Sequence, residues 1–178
     1  MPRRSISSAE LVHVFVDGSG SKGPSGEAVP SWAFVVVSER SGVQSFQGCM
    51  AGVVVCDPAD PQYVGMTTAT SGSAELTAII WAQMWVLQCI GGLAPNASFT
   101  IACDSTYSGL AASMRLSPKI HPEAVRIASG LTAAITSAAS LEYLHIYSHE
   151  GHPWNEMADA VCANVTSGRL RPTAARPP

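Results

Sequence analysis

The chain has 178 residues, of which 47% are hydrophobic and 13% charged, and its net charge is −3. That length suits one folded unit with a substantial core, and the apolar richness excludes disorder for most of the chain. The acidic balance argues against a surface that holds a polyanion by charge alone, because non-specific nucleic-acid affinity comes largely from lysines and arginines that displace counterions.

Residues 1–9 and 169–178 are rich in Arg, Ser, Ala and Pro without periodicity and are expected to be flexible tails around a folded domain at 10–168. The first residues lack the apolar region and cleavage site of a secretory signal, so an intracellular chain, cytoplasmic or nuclear, is expected. Val12 to Asp17 is a β-branched run that empties into Gly18-Ser19-Gly20, which predicts a buried strand with Asp17 at its carboxyl end. Trp32 to Ser38 and Val43 to Val55 read as two further strands, joined as a hairpin through Arg40-Ser41-Gly42. Cys56 to Ser73 holds Asp-Pro twice and a Thr/Ser/Gly cluster, and reads as irregular connection.

From Ala74 the apolar period becomes helical, through Leu76, Ile79, Ile80, Val86 and Ile90, until Gly91-Gly92 stops it. Ser73 is the expected N-cap, which puts Glu75 in the first turn. This stretch, Ala78 to Ile90 at its most apolar, is broken by Gln83 and Gln88 and is too short to cross a hydrocarbon core of about 30 Å. Trp81 and Trp85 lie on the helix at spacings that favour core packing over base stacking.

Phe99 to Cys103 is a short apolar strand that runs into Asp104, repeating the layout of the first segment. A short helix at Tyr107 to Met114, a longer one at Pro122 to Ala139, a strand at Leu141 to Tyr147 and a last helix at Pro153 to Val165 complete the order β-β-β-α-β-α-α-β-α. That order predicts a mixed α/β domain in which the strands separated by helices are parallel, with right-handed crossovers, and the early hairpin extends the sheet on one side. Ligands of such sheets sit outside the carboxyl ends of the strands, where Asp17 and Asp104 would face each other. Five cysteines, Cys49, Cys56, Cys89, Cys103 and Cys162, show no CxxC pair and read as reduced thiols rather than zinc ligands.

An aspartate after a strand is often only a turn former or helix cap. Four acids, Asp17 and Asp104 at strand ends, Glu75 at the opening of a helix and Asp159 one turn after Asn155-Glu156 on the last helix, can instead converge on one point. Two like charges about 4 Å apart repel by roughly 4 kcal/mol at an effective dielectric near 20, so such a cluster needs neutralisation by protons or cations. Oxygen-only donors suit hard divalent ions.

The segments Phe15-Val16-Asp17-Gly18-Ser19, Ser73-Ala74-Glu75-Leu76, Cys103-Asp104-Ser105-Thr106-Tyr107 and Gly151-His152-Pro153-Trp154-Asn155-Glu156-Met157-Ala158-Asp159 occur in that order. Together they resemble the ribonuclease H family, type 1-like, over about Val12 to Ala163. The resemblance implies a ribonuclease H-like fold, with a five-stranded mixed sheet and helices on both faces. It further implies an endonuclease that hydrolyses the RNA strand of RNA·DNA hybrids, leaving 3′-hydroxyl and 5′-phosphate ends. Asp17, Glu75, Asp104 and Asp159 would hold two Mg²⁺ ions, with Mn²⁺ able to substitute. His149, matching a histidine in a mobile loop near the scissile phosphate, would assist catalysis or product release, in preference to His145 and His152.

Substrate contacts implied by the resemblance fall on Gly18, Ser19, Gly20, Ser71, Gly72, Ser73, Ser105 and Asn155, although many family members carry asparagines in the first two of these regions. A second departure is the region between Asp104 and the Pro122 helix, where some members have a basic helix and loop and this chain offers only Arg115 and Lys119. The tails and the Cys56 to Thr70 insert resemble domains joined to reverse transcriptases in retroelements, so a fused or neighbouring hybrid-binding module is an expected partner. An exonuclease of the same superfamily carries a second acid two residues after its first aspartate, where this chain has Ser19. A catalytically silent docking domain is the remaining alternative.

Overall fold

The computed structural model describes residues 11–90, 98–113, 120–147 and 151–171. Its strands are β1 (Leu11–Ser19), β2 (Ser31–Arg40), β3 (Val43–Val53), β4 (Ser98–Cys103) and β5 (Ser140–His145). Its helices are α1 (Ser71–Ile90), α2 (Thr106–Ala112), α3 (Pro122–Thr136) and α4 (Pro153–Thr166). The strands form one sheet in the order β3-β2-β1-β4-β5. β1 pairs antiparallel with β2 and β2 with β3, whereas β1 with β4 and β4 with β5 are parallel. This is the five-stranded mixed sheet that the element order predicts.

β1 is apolar on both sides of its pleat because both faces are covered. Val12, Val14 and Val16 join Phe34, Phe99 and Ile101 in the larger core, closed by Leu76, Ile79, Ile80 and Val86 of α1 and by Ala124, Ala128 and Ile135 of α3. Phe15, Val35, Val37 and Ala102 point the other way and meet Ala158, Trp154 and Met157 of α4. The tryptophans pack as their spacing predicts: Trp81 stacks on Trp32 with ring centroids 5.3 Å apart, and Trp85 tilts against Phe34.

β1 runs further than expected, through Asp17 to Ser19, because β2 pairs with it along that whole length, down to Ser19↔Ser31. Its pairing with β4 stops at Phe15↔Ala102. Beyond Phe15 the two parallel strands therefore part, and a crevice opens between Asp17 and the end of β4. Smaller boundary differences occur at β3, which ends at Val53, at β5, which ends at His145, and at α3, which ends at Thr136. Met114, expected at the end of α2, lies outside the described residues.

The connection from Cys56 to Thr70 is irregular, as expected, yet it is built into the core. Val64 and Met66 are buried, and Gly65 between them has φ +87° and meets the start of α3, where an added Cβ would lie 2.5 Å from the Ala124 amide nitrogen. The Thr67 amide donates to His121 Nδ1 at 3.2 Å and the Tyr63 hydroxyl to Glu123 at 3.2 Å. All five cysteines are free thiols. Among the described residues no helix is long and apolar enough to cross a membrane. Residues 1–10 and 172–178, which hold most of the expected tails, lie outside the described residues.

Candidate active site

Asp17 is 8% exposed, and its carboxylate accepts a hydrogen bond from the Gly18 amide at 2.8 Å. α4 is anchored beside it. The Cys162 thiol donates to the Asp17 carbonyl oxygen at 3.4 Å, and Ser31 bridges the Cys162 carbonyl and the Thr166 hydroxyl at 3.1 and 2.7 Å. Asp159, three residues before Cys162, is carried toward the same place by the helical repeat.

Glu75 comes from the opposite face of the sheet. The backbone of α1 crosses β1 directly over Gly18, where any Cβ would collide with Ala74 and Glu75. α1 begins earlier than expected, because Thr70 rather than Ser73 caps it. The Thr70 amide donates to Ser73 Oγ at 2.7 Å and the Ser73 amide to Thr70 Oγ1 at 3.2 Å, a reciprocal capping box. Glu75 consequently sits past the first turn, which contains no acid. Asp104 follows β4 directly, and its carbonyl bonds His145 Nε2 at 3.1 Å. Ser105 then caps α2, accepting from the Ser108 amide at 3.2 Å, and the Ser108 hydroxyl donates to Glu75 at 3.4 Å.

The four predicted acids line one open cleft of about 270 Å³, together with Gly18, Ser19, Gly20, Ser71, Asn155 and Glu156. Their charges act on one another. Burial, then Asp104, and with smaller effect Asp159 and Glu75, push the Asp17 carboxyl up from 3.8 to about 7 against the opposing Gly18 amide. Burial also raises Glu75, aided by Asp104 and opposed by the Ser105 and Ser108 hydroxyls. The Cys103 thiol beneath is pushed up to about 12 by burial and by Asp104 and Glu75, so it stays protonated and inert at neutral pH. Among the described residues no three His, Cys, Asp or Glu side chains already close around a point at metal-ligand spacing. The carboxylates share a cleft but stand apart, the arrangement that repulsion between like charges favours.

The remaining sequence candidates divide. Ser19, Gly20 and Ser71 line the cleft and are accessible. Asn155 lines the cleft but is only 6% exposed, and its Oδ1 is buried without a hydrogen-bond partner. Gly72 is exposed at the start of α1 but is not part of the cleft lining. Ser73 is a correction: at 1% exposure, and committed to the cap, it cannot reach a substrate. Gly18 lines the cleft, but its missing side chain is required by the crossing of α1. Ser105 acts on Glu75 and on the α2 cap. His149 lies outside the described residues, as do Arg115 and Lys119. Of its competitors, His145 is exposed, while the His152 ring tilts against Phe15 with centroids 4.8 Å apart.

Sequence reasoning missed three contributors. Glu156, a fifth acid in the cleft, was legible from its spacing three residues before Asp159. Thr70 and the fully buried Ser108 had no such signal, since a hydroxyl's partner depends on the tertiary fold.

No protein-family profile matches the sequence, and no curated protein is similar enough in sequence to match it. Solved structures match in fold. The ribonuclease H1 of the halophilic archaeon Halobacterium salinarum is 18% identical with a TM-score of 0.60, covering 86% of this chain and 96% of that one. LC11-RNase H1, solved in complex with an RNA/DNA hybrid, is 15% identical with a TM-score of 0.56, covering 88% and 99%. The foamy viral protease-reverse transcriptase, solved with double-stranded DNA, is 13% identical with a TM-score of 0.56, covering 89% and 94%. The chain has the ribonuclease H-like fold.

Proposed function

We propose that the chain is a metal-dependent endonuclease that hydrolyses the RNA strand of RNA·DNA hybrids. The observation that carries this reading is the convergence of Asp17, Glu75, Asp104 and Asp159 on one cleft beyond the carboxyl ends of β1 and β4. A docking module has no use for an aspartate held at about 7 by burial and by like-charged neighbours. Strongly perturbed carboxylates in a cleft are instead a mark of functional sites.

The donor set fits hard cations: it is all oxygen, carries excess negative charge and has open solvent access for waters and a phosphate. Asp17, Glu75, Asp104 and Asp159 would hold two Mg²⁺ ions, which Mn²⁺ would replace. When bound, the ions would supply neutralisation of the carboxylates, activation of a water and stabilisation of the leaving oxygen. The water oxygen ends on the 5′-phosphate and a proton ends on the released 3′-oxygen.

The chain's own groups orient this chemistry. Ser108 holds the Glu75 carboxylate, with Ser105 behind it donating to the Ser108 hydroxyl, and the Gly18 amide fixes the Asp17 rotamer. Asn155, together with Ser19, Gly20 and Ser71 of the cleft lining, would contact the hybrid, where 2′-hydroxyls distinguish RNA from DNA. His149 would assist turnover or product release. Solved relatives of this fold carry an RNA/DNA hybrid or belong to a viral reverse transcriptase, so a fused or neighbouring module that helps hold the hybrid is part of the proposal.

The test is cleavage of end-labelled hybrid, double-stranded RNA and duplex DNA by the full chain with and without Mg²⁺. RNA-strand nicking of the hybrid alone, leaving 3′-hydroxyl and 5′-phosphate ends and lost in Asp104→Asn, is expected. A folded wild type as inert as that variant would favour the docking alternative.

A further inference from the structure

The acidic cleft needs cations near its rim if a polyanion is to enter, and the chain has only ten lysines and arginines. Five of them are among the described residues: Lys22, Arg40, Arg126, Arg169 and Arg171. Arg40 ends β2 far from the cleft, where its neighbour Glu39 pairs with Leu11 at the start of β1, and Arg126 lies on α3. The other three are exposed and are brought together by the fold.

Lys22 is two residues beyond Gly20, which lines the cleft, so it stands within about 7 Å of it along the chain. Lys22 forms an isolated bridge with Ala28, and the neighbouring Val29 amide donates to the Ser21 carbonyl at 3.1 Å. The Val29 carbonyl in turn accepts from Thr166 Oγ1 at 3.2 Å, which ties this loop to the last turn of α4. Arg169 and Arg171 follow that turn, which is closed by the Leu170 amide donating to Asn164 at 2.9 Å. Glu27, on the same loop as Lys22, is hydrogen-bonded to Ser25. Among the described residues the only ion pair is His13 with Glu39, so the three cations are not spent on neighbouring acids.

We infer that Lys22, Arg169 and Arg171 form a cationic rim that holds backbone phosphates of the hybrid beside the cleft. The inference rests on the hydrolase reading for the identity of its ligand. Guanidinium and ammonium groups contact phosphates without reading sequence, so the rim would set affinity and position while leaving the chemical step to the acids.

The test uses the full chain with a labelled hybrid. KM and kcat are measured over a KCl series, and hybrid affinity is measured by anisotropy in an Asp104→Asn background. Replacing all three residues by Ala is expected to raise KM and Kd about tenfold at physiological salt. It should also flatten the logarithmic salt slope by about 2 to 3, near 0.9 per lost phosphate contact, with kcat within about twofold. The charge-conserving set Lys22→Arg, Arg169→Lys and Arg171→Lys should keep most of the slope, and Arg40→Ala with Arg126→Ala should change nothing. If the wild type cuts hybrid and the triple alanine variant keeps its slope and KM, the rim is overturned and the hydrolase reading stands. If the triple variant loses slope while the wild type cuts nothing, the rim stands and the hydrolase reading falls.

Discussion

Gly18 and Glu75 touch through their backbones: a methyl group added to Gly18 would stand 2.2 Å from the Glu75 amide nitrogen. Strand and helix cross there without an intervening side chain, and this brings a carboxylate from one face of the sheet beside Asp17, whose side chain belongs to the other. Gly18→Ala should push α1 away, lowering stability by about 3 kcal/mol through overpacking. It should also slow cleavage by about a hundredfold, the effect of roughly 1 Å of misplacement at a reacting centre. Denaturant titration and a cleavage assay on the same preparation check both; an unchanged cleavage rate would show that the crossing does not position Glu75.

Asp17 makes the stability of the cation-free protein depend on pH. Its carboxyl titrates near 3.8 when unfolded and at about 7 when folded, so between these values the native state binds more protons than the unfolded state. Stability is therefore highest at the acid end of this window and falls as pH rises through it. Asp17→Asn removes a buried charge together with its repulsion by the other acids, and at pH 8 in EDTA it should be more stable than the wild type by up to about 4 kcal/mol, a difference that disappears near pH 4. Urea midpoints across pH 4 to 8 measure this. Parallel curves for the two proteins would mean that Asp17 does not feel the other acids.

Mg²⁺ should reverse that penalty. Added to the wild type at pH 8 it should raise the unfolding midpoint, since an ion that binds only the folded state stabilises it by mass action. Added to Asp104→Asn it should do much less. Calorimetric scans with and without Mg²⁺ decide the matter, and equal shifts in the two proteins would remove Asp104 from the ligand set.

Not every acid in the cleft should matter equally. Asp104→Asn is expected to reduce cleavage by two orders of magnitude or more, about what loss of a charge-stabilising group costs at a reacting centre. Glu156→Gln, at an exposed position on the rim, should change the rate far less. Single-turnover rates of the two variants are the comparison to make, and equal losses would place Glu156 among the essential acids.

Ser71 and Ser73 are two residues apart but have separate duties. Ser73→Ala breaks the capping box and should lower stability by about 1 kcal/mol with KM unchanged. Ser71→Ala, at an exposed cleft position, should raise KM without affecting stability. Thermal melts and steady-state kinetics of the pair separate cap from contact.

Periodicity and turn chemistry are local, and whatever depended on them was readable in the residues. The β-branched run before Asp17, the helical repeat from Ala74 and the apolar strand before Asp104 announce their elements, and the order of elements is enough to anticipate the sheet. The ends of those elements were less legible, because they depend on partners elsewhere. β1 continues to Ser19 only because Ser31 pairs with it, and α1 starts at Ser71 only because Thr70 and Ser73 exchange hydrogen bonds.

By itself, the sequence determined which side chains can do chemistry and which segments carry them: aspartates at strand ends, a glutamate on an apolar helix, and an acid one turn from the anchor of the last helix. The tertiary structure alone decided that Gly18 is a crossing point, that Ser73 is buried, that the loop at Cys56 to Thr70 belongs to the core and that Lys22 meets the end of α4. The physical reason is range. A residue's backbone preference is set by its neighbours in the chain, whereas its exposure, its hydrogen-bond partner and the charge it feels are set by whatever the packed fold brings within a few ångströms.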